Sequence, residues 1–391
     1  MDDLEIRRLR ADTPACEDIL HFNNAGASLM PGPVVEAMNG VYKDEIQFGG
    51  YEAERRAGAE LGAFYDEFAA LLNAKANEIA YVENATRAWD AAFYGLPLAS
   101  GDRIITHASE YASNYLAMLH LARRRELEID IAPSDASGQI DVDALERMIT
   151  PRTKLIAITH VPTQGGLVNP AEAVGEVARR HGLIYLLDAC QSVGQIEVDV
   201  QRIGCDILSG TGRKFLRGPR GTGFLFVSGA ILDRIDPPFI DLHSATWTGP
   251  DSFVWAEGAK RFENWESNVA GRVGLTAAAR YARRIGVDRI EQRVAGLGTR
   301  LRDALAEVAG VTVHDLGLRK SGIVTFRKGD LDPGGIASRL RARAINVSVS
   351  SLPYARLDLG ARGLGSLVRA SVHYFNTEAE IEAFVAAVAE L

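Results

Sequence analysis

Sulfhydryls are scarce: Cys16, Cys190 and Cys205 are the only cysteines among 391 residues. They are odd in number, far apart and form no Cys-x-x-Cys pair. That argues against a disulfide framework and a structural zinc site, and it suits a reducing compartment. Basic charge is in deficit too, with 43 Lys and Arg against 51 Asp and Glu. A nucleic-acid footprint or a polybasic membrane anchor is therefore not expected. No apolar run approaches the ~20 residues that would span a bilayer. The opening Met1-Asp2-Asp3-Leu4-Glu5 is acidic where a signal peptide would be basic and then apolar, so a cytoplasmic protein is expected. The 38 Gly and 14 Pro are an ordinary share, which excludes collagen-like and low-complexity readings. There is no internal repeat. Lysine, at seven residues, is the scarcest charged type.

What the chain does have is alternation. Short apolar runs exchange with helix-period segments, the pattern of a mostly parallel sheet flanked by helices. Strands are expected over residues 78–82, 103–106, 128–131, 155–160, 183–187, 205–208 and 222–227. Between two of them, Asn169-Pro170 reads as an N-cap with a first-turn proline, and Gly182 closes the helix. From about residue 270 the chain turns to Arg- and Ala-rich helix, with strands expected near 322–326 and 367–371. Thr377 and Glu380 form a capping box for a last helix whose apolar face is Ile381, Phe384, Val385 and Val388. The expected organisation is an N-terminal arm (1–20) packing on a small domain, a large α/β domain (21–265) and that smaller C-terminal α+β domain (266–391).

In open α/β sheets ligands sit beyond the carboxyl ends of strands. Two such places stand out. Residues 209–223 read Ser-Gly-Thr-Gly-Arg-Lys-Phe-Leu-Arg-Gly-Pro-Arg-Gly-Thr-Gly. Glycines would let backbone approach a phosphate, Thr211 offers a hydroxyl and Arg213 a cation. The Walker A spacing is absent, and a surface loop with scattered basic residues fits the same letters. Asp188, ending a buried strand before Ala189-Cys190-Gln191, suits a cap or a metal ligand when taken alone.

Taken together, these segments resemble the pyridoxal-phosphate enzymes of fold type I, in the class V aminotransferase and cysteine desulfurase family. The resemblance runs from Phe22 to the last helix. It implies a large domain built on a mostly parallel sheet, a homodimer with the active site at the subunit interface, and pyridoxal 5'-phosphate as cofactor. It implies that Lys214 forms the Schiff base and that Asp188 holds the pyridine nitrogen protonated, making the ring an electron sink. Gln191 would reach the cofactor 3'-oxygen and Tyr111, in Glu110-Tyr111-Ala112-Ser113-Asn114, would stack on the ring. Thr163 would lie near the ring. Ala85 and Thr86, at a helix start after a strand, would hold phosphate together with Thr211 and Arg213. For the substrate, Arg369 in Val368-Arg369-Ala370-Ser371 would grip the α-carboxylate. Asn24, Ala25 and Gly26, with Tyr51 on a loop at the mouth, would border it. No metal is implied.

Two departures from the family pattern bear on the reaction. Desulfurases carry a nucleophilic cysteine on a loop before the carboxylate-binding arginine. Residues 345–366 contain Ser348, Ser350 and Ser351 but no cysteine, and a serine hydroxyl cannot accept sulfur as a thiolate does. Trp265 and Glu266 stand where many relatives carry the Gly-Thr that reaches the partner subunit's phosphate. The branch the chain resembles is that of isopenicillin epimerase-like and hercynylcysteine sulfoxide lyase-like proteins. The expected substrate is a small α-amino acid, bound as an external aldimine and losing its Cα proton to Lys214. Transamination is the leading expectation, followed by C–S β-lysis and then epimerisation. A non-catalytic pyridoxal-phosphate sensor would need an added DNA-binding region or a lost lysine, and neither is seen.

Overall fold

The computed structural model describes residues 1–391. The alternating segments of its first two thirds build a seven-stranded sheet. Its strands are β1 (Ile79–Val82), β2 (Arg103–His107), β3 (Glu128–Ala132) and β4 (Thr153–Thr159), then β5 (Ile184–Asp188), β6 (Ile207–Thr211) and β7 (Gly223–Val227). The order across the sheet is β1-β7-β6-β5-β4-β2-β3. Neighbours from β3 through to β6 are parallel, whereas β7 is antiparallel to both β6 and β1. Six strands therefore run one way and β7 runs back.

The inner strands such as β4 and β5 read as apolar runs because both faces are covered, whereas the edge strand β3 alternates Ile129 and Ile131 with Glu128 and Asp130. Alternate side chains go to opposite faces. Tyr185, Leu187, Phe224 and Phe226 enter one core, and Ile184, Leu186, Leu225 and Val227 enter the other. Each fully buried leucine of this kind contributes roughly 1.5–3 kcal/mol.

A four-stranded antiparallel sheet follows, made of β8 (Val311–Val313), β9 (Ile323–Lys328), β10 (Ser348–Ser351) and β11 (Ser366–Ser371), in the order β8-β9-β11-β10. The last helix, Glu378–Ala389, carries the expected capping box. It packs Ile381, Phe384 and Val388 against Phe326, Val368 and Phe22. Leu20–His21 pairs in parallel with Ile345–Asn346, and Asn23 bridges Ser371.

Several details differ from the sequence expectation, each for a packing reason. Helix Val269–Ile285 lies on helices Gly32–Phe48 and Gly58–Leu72. Its Leu275, Ala278 and Ala282 share a core with Leu187, so the packing of the large sheet continues beyond residue 265. The first helix, Asp3–Ala11, also sends Ile6 and Leu9 into that core, while Arg10 pairs with Glu380 at 2.7 Å. The arm thus touches both parts rather than the small one alone. Asn169 does not cap the helix Ala171–Arg180, whose N-cap is Pro170. It is buried and holds Ile140 N (3.1 Å), Ser109 Oγ (3.2 Å) and Thr159 O (2.8 Å). A hairpin over Ala245–Gly249 and Ser252–Trp255, absent from the sequence reading, leaves Trp247 and Phe253 exposed.

Candidate active site

The six co-directed strands bring their carboxyl ends to one edge, and β7 begins there. Neighbours β2 and β4 send their onward connections to opposite sides, which is the topological position where such sheets bind ligands. A cavity of about 330 Å³ lies at this edge. After β1, Asn84 caps helix α1 (Ala85–Tyr94) by accepting Arg87 N at 3.0 Å, and Asn84, Ala85 and Thr86 form one wall. Tyr111 comes from the turn after β2, at the start of helix α2 (Ala112–Arg125). Thr159 and Thr163 come from the end of β4, and Asp188, Cys190 and Gln191 from the end of β5. Thr211 ends β6, Arg213 and Lys214 follow it, and Arg220 and Gly221 precede β7. Gly223 at the start of β7 is obligatory: a Cβ there would stand 2.7 Å from Asn84 C and 3.0 Å from Ala85 N.

The charge in this cavity is mostly positive. Asp188 is its one acid, facing Arg213, Lys214 and Arg220. The Asp188 carboxylate is held at both oxygens, Oδ1 by Cys190 N and Oδ2 by Asn114 Nδ2, each at 2.8 Å. Lys214 Nζ is 5.9 Å from the Tyr111 ring centroid. Burial lowers its pKa, with Cys190 and Asp188 working in the opposite direction. The Cys190 thiol is pushed well up by burial and then by Asp188, so it stays protonated. Gln191 donates Nε2 to Ala25 O and Thr163 Oγ1, both at 3.0 Å, and its buried Oε1 has no partner.

Arg369 reaches the same place from β11. Its Nη1 donates to Thr163 O at 3.0 Å and Thr163 Oγ1 at 2.6 Å. Its Nε is buried without a partner. Desolvation, then Arg213, lowers its pKa to about 10, so it remains a cation at neutral pH. Asn24 is fully buried behind the cavity, with Nδ2 on Ser371 O (2.8 Å) and Oδ1 on Ser28 Oγ (2.7 Å). Ala25 meets the site through the carbonyl that takes Gln191, and Gly26 turns the chain onward, its N–H on Asn23 O at 3.0 Å.

Tyr51 is the expected site residue that the structure does not bring in. No mouth loop forms, because Gly49 (φ 95°) breaks the chain into two successive helices. Tyr51 lies on the second, 67% exposed and outside the cavity wall. Trp265 is exposed as well, its N–H on Asp241 Oδ2 at 2.7 Å. Arg220 was missed. Its signal was a further basic residue, set between Pro219 and Gly221 in the segment already singled out.

The class-V aminotransferase family model matches residues 20–384. The chain belongs to this family. Over 381 residues it is 30% identical to a protein of Methanothermobacter thermautotrophicus named as a probable cysteine desulfurase, covering 96% of this chain and 95% of that one. The apo cysteine desulfurase of Thermococcus onnurineus NA1 has the same fold, with a TM-score of 0.92 at 30% identity over 98% of this chain and 97% of that one. A cystine C–S lyase in complex with its reaction product cysteine persulfide gives a TM-score of 0.88 at 25% identity, over 97% and 99%. A class-V family member is a pyridoxal-phosphate enzyme of fold type I, and pyridoxal 5'-phosphate is its cofactor.

The residues present fit that group. Neither the Arg213 nor the Arg220 side chain has a hydrogen-bond or ion-pair partner in the chain, and both line the cavity that the α1 N-terminus also walls, where an anion is favoured. The unpartnered Gln191 Oε1 is an acceptor that a ring hydroxyl would satisfy. No helix is long and apolar enough to cross a membrane.

Proposed function

We propose that this protein is a C–S lyase acting on a small sulfur-bearing α-amino acid of the cysteine type, with Lys214 as base and Schiff-base residue. One observation carries the choice of reaction. Cys190 is the only cysteine in the cavity wall, and its thiol is held protonated beside Asp188. Desulfuration needs a thiolate that takes sulfur from the substrate. β-Elimination needs no such acceptor. Transamination, favoured on sequence, gives way because the similar proteins named above are desulfurases and a C–S lyase.

The division of labour follows from the side chains. The Nε–Nη2 edge of Arg369 would take the substrate carboxylate, since Thr163 already occupies Nη1. Ala85, Thr86, Thr211, Arg213 and Arg220 would hold the cofactor phosphate, with Tyr111 against the ring and Asp188 at its nitrogen. Bound there, the cofactor supplies a sink for the electron pair left at Cα. Lys214 Nζ, its pKa lowered by burial, takes the Cα proton as a neutral amine. The Cβ–S bond then breaks with its electron pair leaving on sulfur. The organic product is an enamine acid, which water converts to pyruvate and ammonia.

We propose in addition that the chain works as a homodimer. Ile46, Leu242, Trp247 and Trp265 are 88%, 72%, 73% and 60% exposed in the single chain, large apolar side chains that a partner surface would cover.

The test is product analysis. The holoenzyme is given L-cysteine, L-cystine and S-alkyl cysteines, and pyruvate, ammonia, alanine and released thiol or persulfide are quantified. Pyruvate and ammonia in equal amounts support lysis. Alanine as the organic product means desulfuration, and amino transfer dependent on an added 2-oxo acid, without ammonia, means transamination. Either outcome overturns the proposal.

A further inference from the structure

Directly behind the cavity, a second carboxylate stands close to Asp188 with no cation paired to it. Glu110 lies in the turn between β2 and α2 and is 4% exposed. One of its oxygens, Oε1, gathers three donors: Tyr111 N at 2.7 Å, Asn114 Nδ2 at 2.9 Å and the Thr159 hydroxyl. The other, Oε2, takes Thr106 Oγ1 at 3.4 Å. The same Asn114 nitrogen donates to Asp188 Oδ2 at 2.8 Å. A single amide group therefore bridges the two carboxylates.

We infer that Glu110 is a positioning residue for the electron sink: through Asn114 it fixes the Asp188 carboxylate, and through the Tyr111 backbone it fixes the ring that faces Lys214. The inference rests on pyridoxal phosphate occupying the cavity as described above.

The geometry explains why an acceptor must stand at this position. Asn114 Nδ2 has two protons, and a carboxylate on each side uses both, which locks the amide plane. Without Glu110, one Asn114 proton and the Thr159 hydroxyl would lose a buried acceptor, at a cost of about 1–3 kcal/mol each, and Tyr111 N would keep only Thr159 Oγ1 at 3.3 Å. The cheapest relief is rotation of Asn114, which releases Asp188, together with a shift of the turn that carries Tyr111. Both changes act on the reaction without Glu110 touching substrate or cofactor. Its charge is secondary. Burial, then the Asp188 charge, pushes its carboxyl up to about 7, so near neutral pH it is partly protonated and still accepts through Oε1.

The carboxamide of glutamine keeps that acceptor and can point its NH₂ at the Thr106 hydroxyl, so Glu110→Gln should preserve the arrangement where Glu110→Ala destroys it. Wild type, E110A, E110Q, N114A and the E110A/N114A double variant are prepared as apoproteins. Each is titrated with pyridoxal 5'-phosphate for its dissociation constant, and the induced circular dichroism of the bound cofactor is recorded. Steady-state constants with the best amino acid complete the set. E110A and N114A should each lose induced dichroism and drop kcat on the order of 10²-fold, as misplacement by about 1 Å does. KM should stay within about threefold, and the double variant should be no worse than either single one, because the three groups act as a chain. E110Q should match wild type in dichroism. Wild-type dichroism and kcat in E110A, or E110Q as impaired as E110A, overturns the inference. If E110A does not fold, N114A with normal dichroism does the same. Failure of the wild-type apoprotein to bind the cofactor would instead refute the cavity assignment on which the inference rests.

Discussion

Arg369 offers the most direct test of substrate binding. Thr163 holds Nη1 through its carbonyl and its hydroxyl, while the Nε–Nη2 edge has no partner in the chain. This is a pre-oriented fork, and a carboxylate meets it with two parallel hydrogen bonds. Bonds to charged groups contribute roughly 1.5–3 kcal/mol each, so the pair is worth about 3 kcal/mol at the low end. At 1.4 kcal/mol per factor of ten, Arg369→Ala should weaken amino-acid binding about 10²-fold. Such a contact would exist before and during the reaction, so KM should carry the loss and kcat should change far less. Arg369→Lys should recover only part of the binding, since a point charge cannot replace the fork. Stability should hold, because the substitution removes a buried unpaired cation and Thr163 Oγ1 keeps its bond from Gln191. The assay is titration of the holoenzyme with the amino acid, followed by cofactor absorbance, alongside steady-state kinetics. An unchanged dissociation constant and KM in both variants would refute the assignment.

Three further predictions concern the same edge of the sheet. Lys214→Ala should abolish covalent cofactor attachment and turnover; borohydride reduction followed by peptide mapping checks this, and a labelled peptide containing another lysine would contradict it. Gly223→Ala forces a Cβ against Asn84 and Ala85, so it should cost about 1–3 kcal/mol of stability and raise the dissociation constant of pyridoxal phosphate, measured by urea unfolding and by titration of the apoprotein. Glu110 has a folded-state pKa raised from 4.5 to about 7 by burial and Asp188, so its contribution to stability is complete below about pH 4.5 and lost as pH rises through about 7. Compared with Glu110→Gln, the wild-type apoprotein should therefore lose unfolding free energy across that window, and parallel pH profiles for the two would contradict the burial argument.

How far the sequence reached depended on whether a signal was local. The inner strands of the large sheet were legible because burial on both faces demands unbroken apolar runs, as in residues 183–187, and the edge strand β3 because its isoleucines alternate with Glu128 and Asp130. The small sheet was half legible: strands β9 and β11 are apolar and central, whereas β8 and β10 lie at its edges, where Thr312, Ser348 and Ser351 dilute the pattern. The capping box at Thr377 and Glu380 needs only four consecutive residues, and it appeared as expected. Asn169 shows the limit, since an N-cap and a buried side-chain clamp use the same letter before the same proline.

By itself, the sequence determined the class of fold, the family, and the candidate residues that follow each strand, because strand length, turn residues and motif spacing are properties of neighbours along the chain. Only the tertiary structure decided which of those residues share a cavity. It brought Arg369 of β11 to Thr163 across 206 positions of sequence, left Tyr51 outside, and put Arg220 in the wall. It also placed Glu110 behind Asp188, joined through Asn114, although 74 positions separate Asn114 from Asp188. The physical reason is the order of strands in the sheet. Hydrogen-bonded neighbours β2, β4, β5 and β6 align their carboxyl ends side by side, and no local pattern encodes which strand lies next to which.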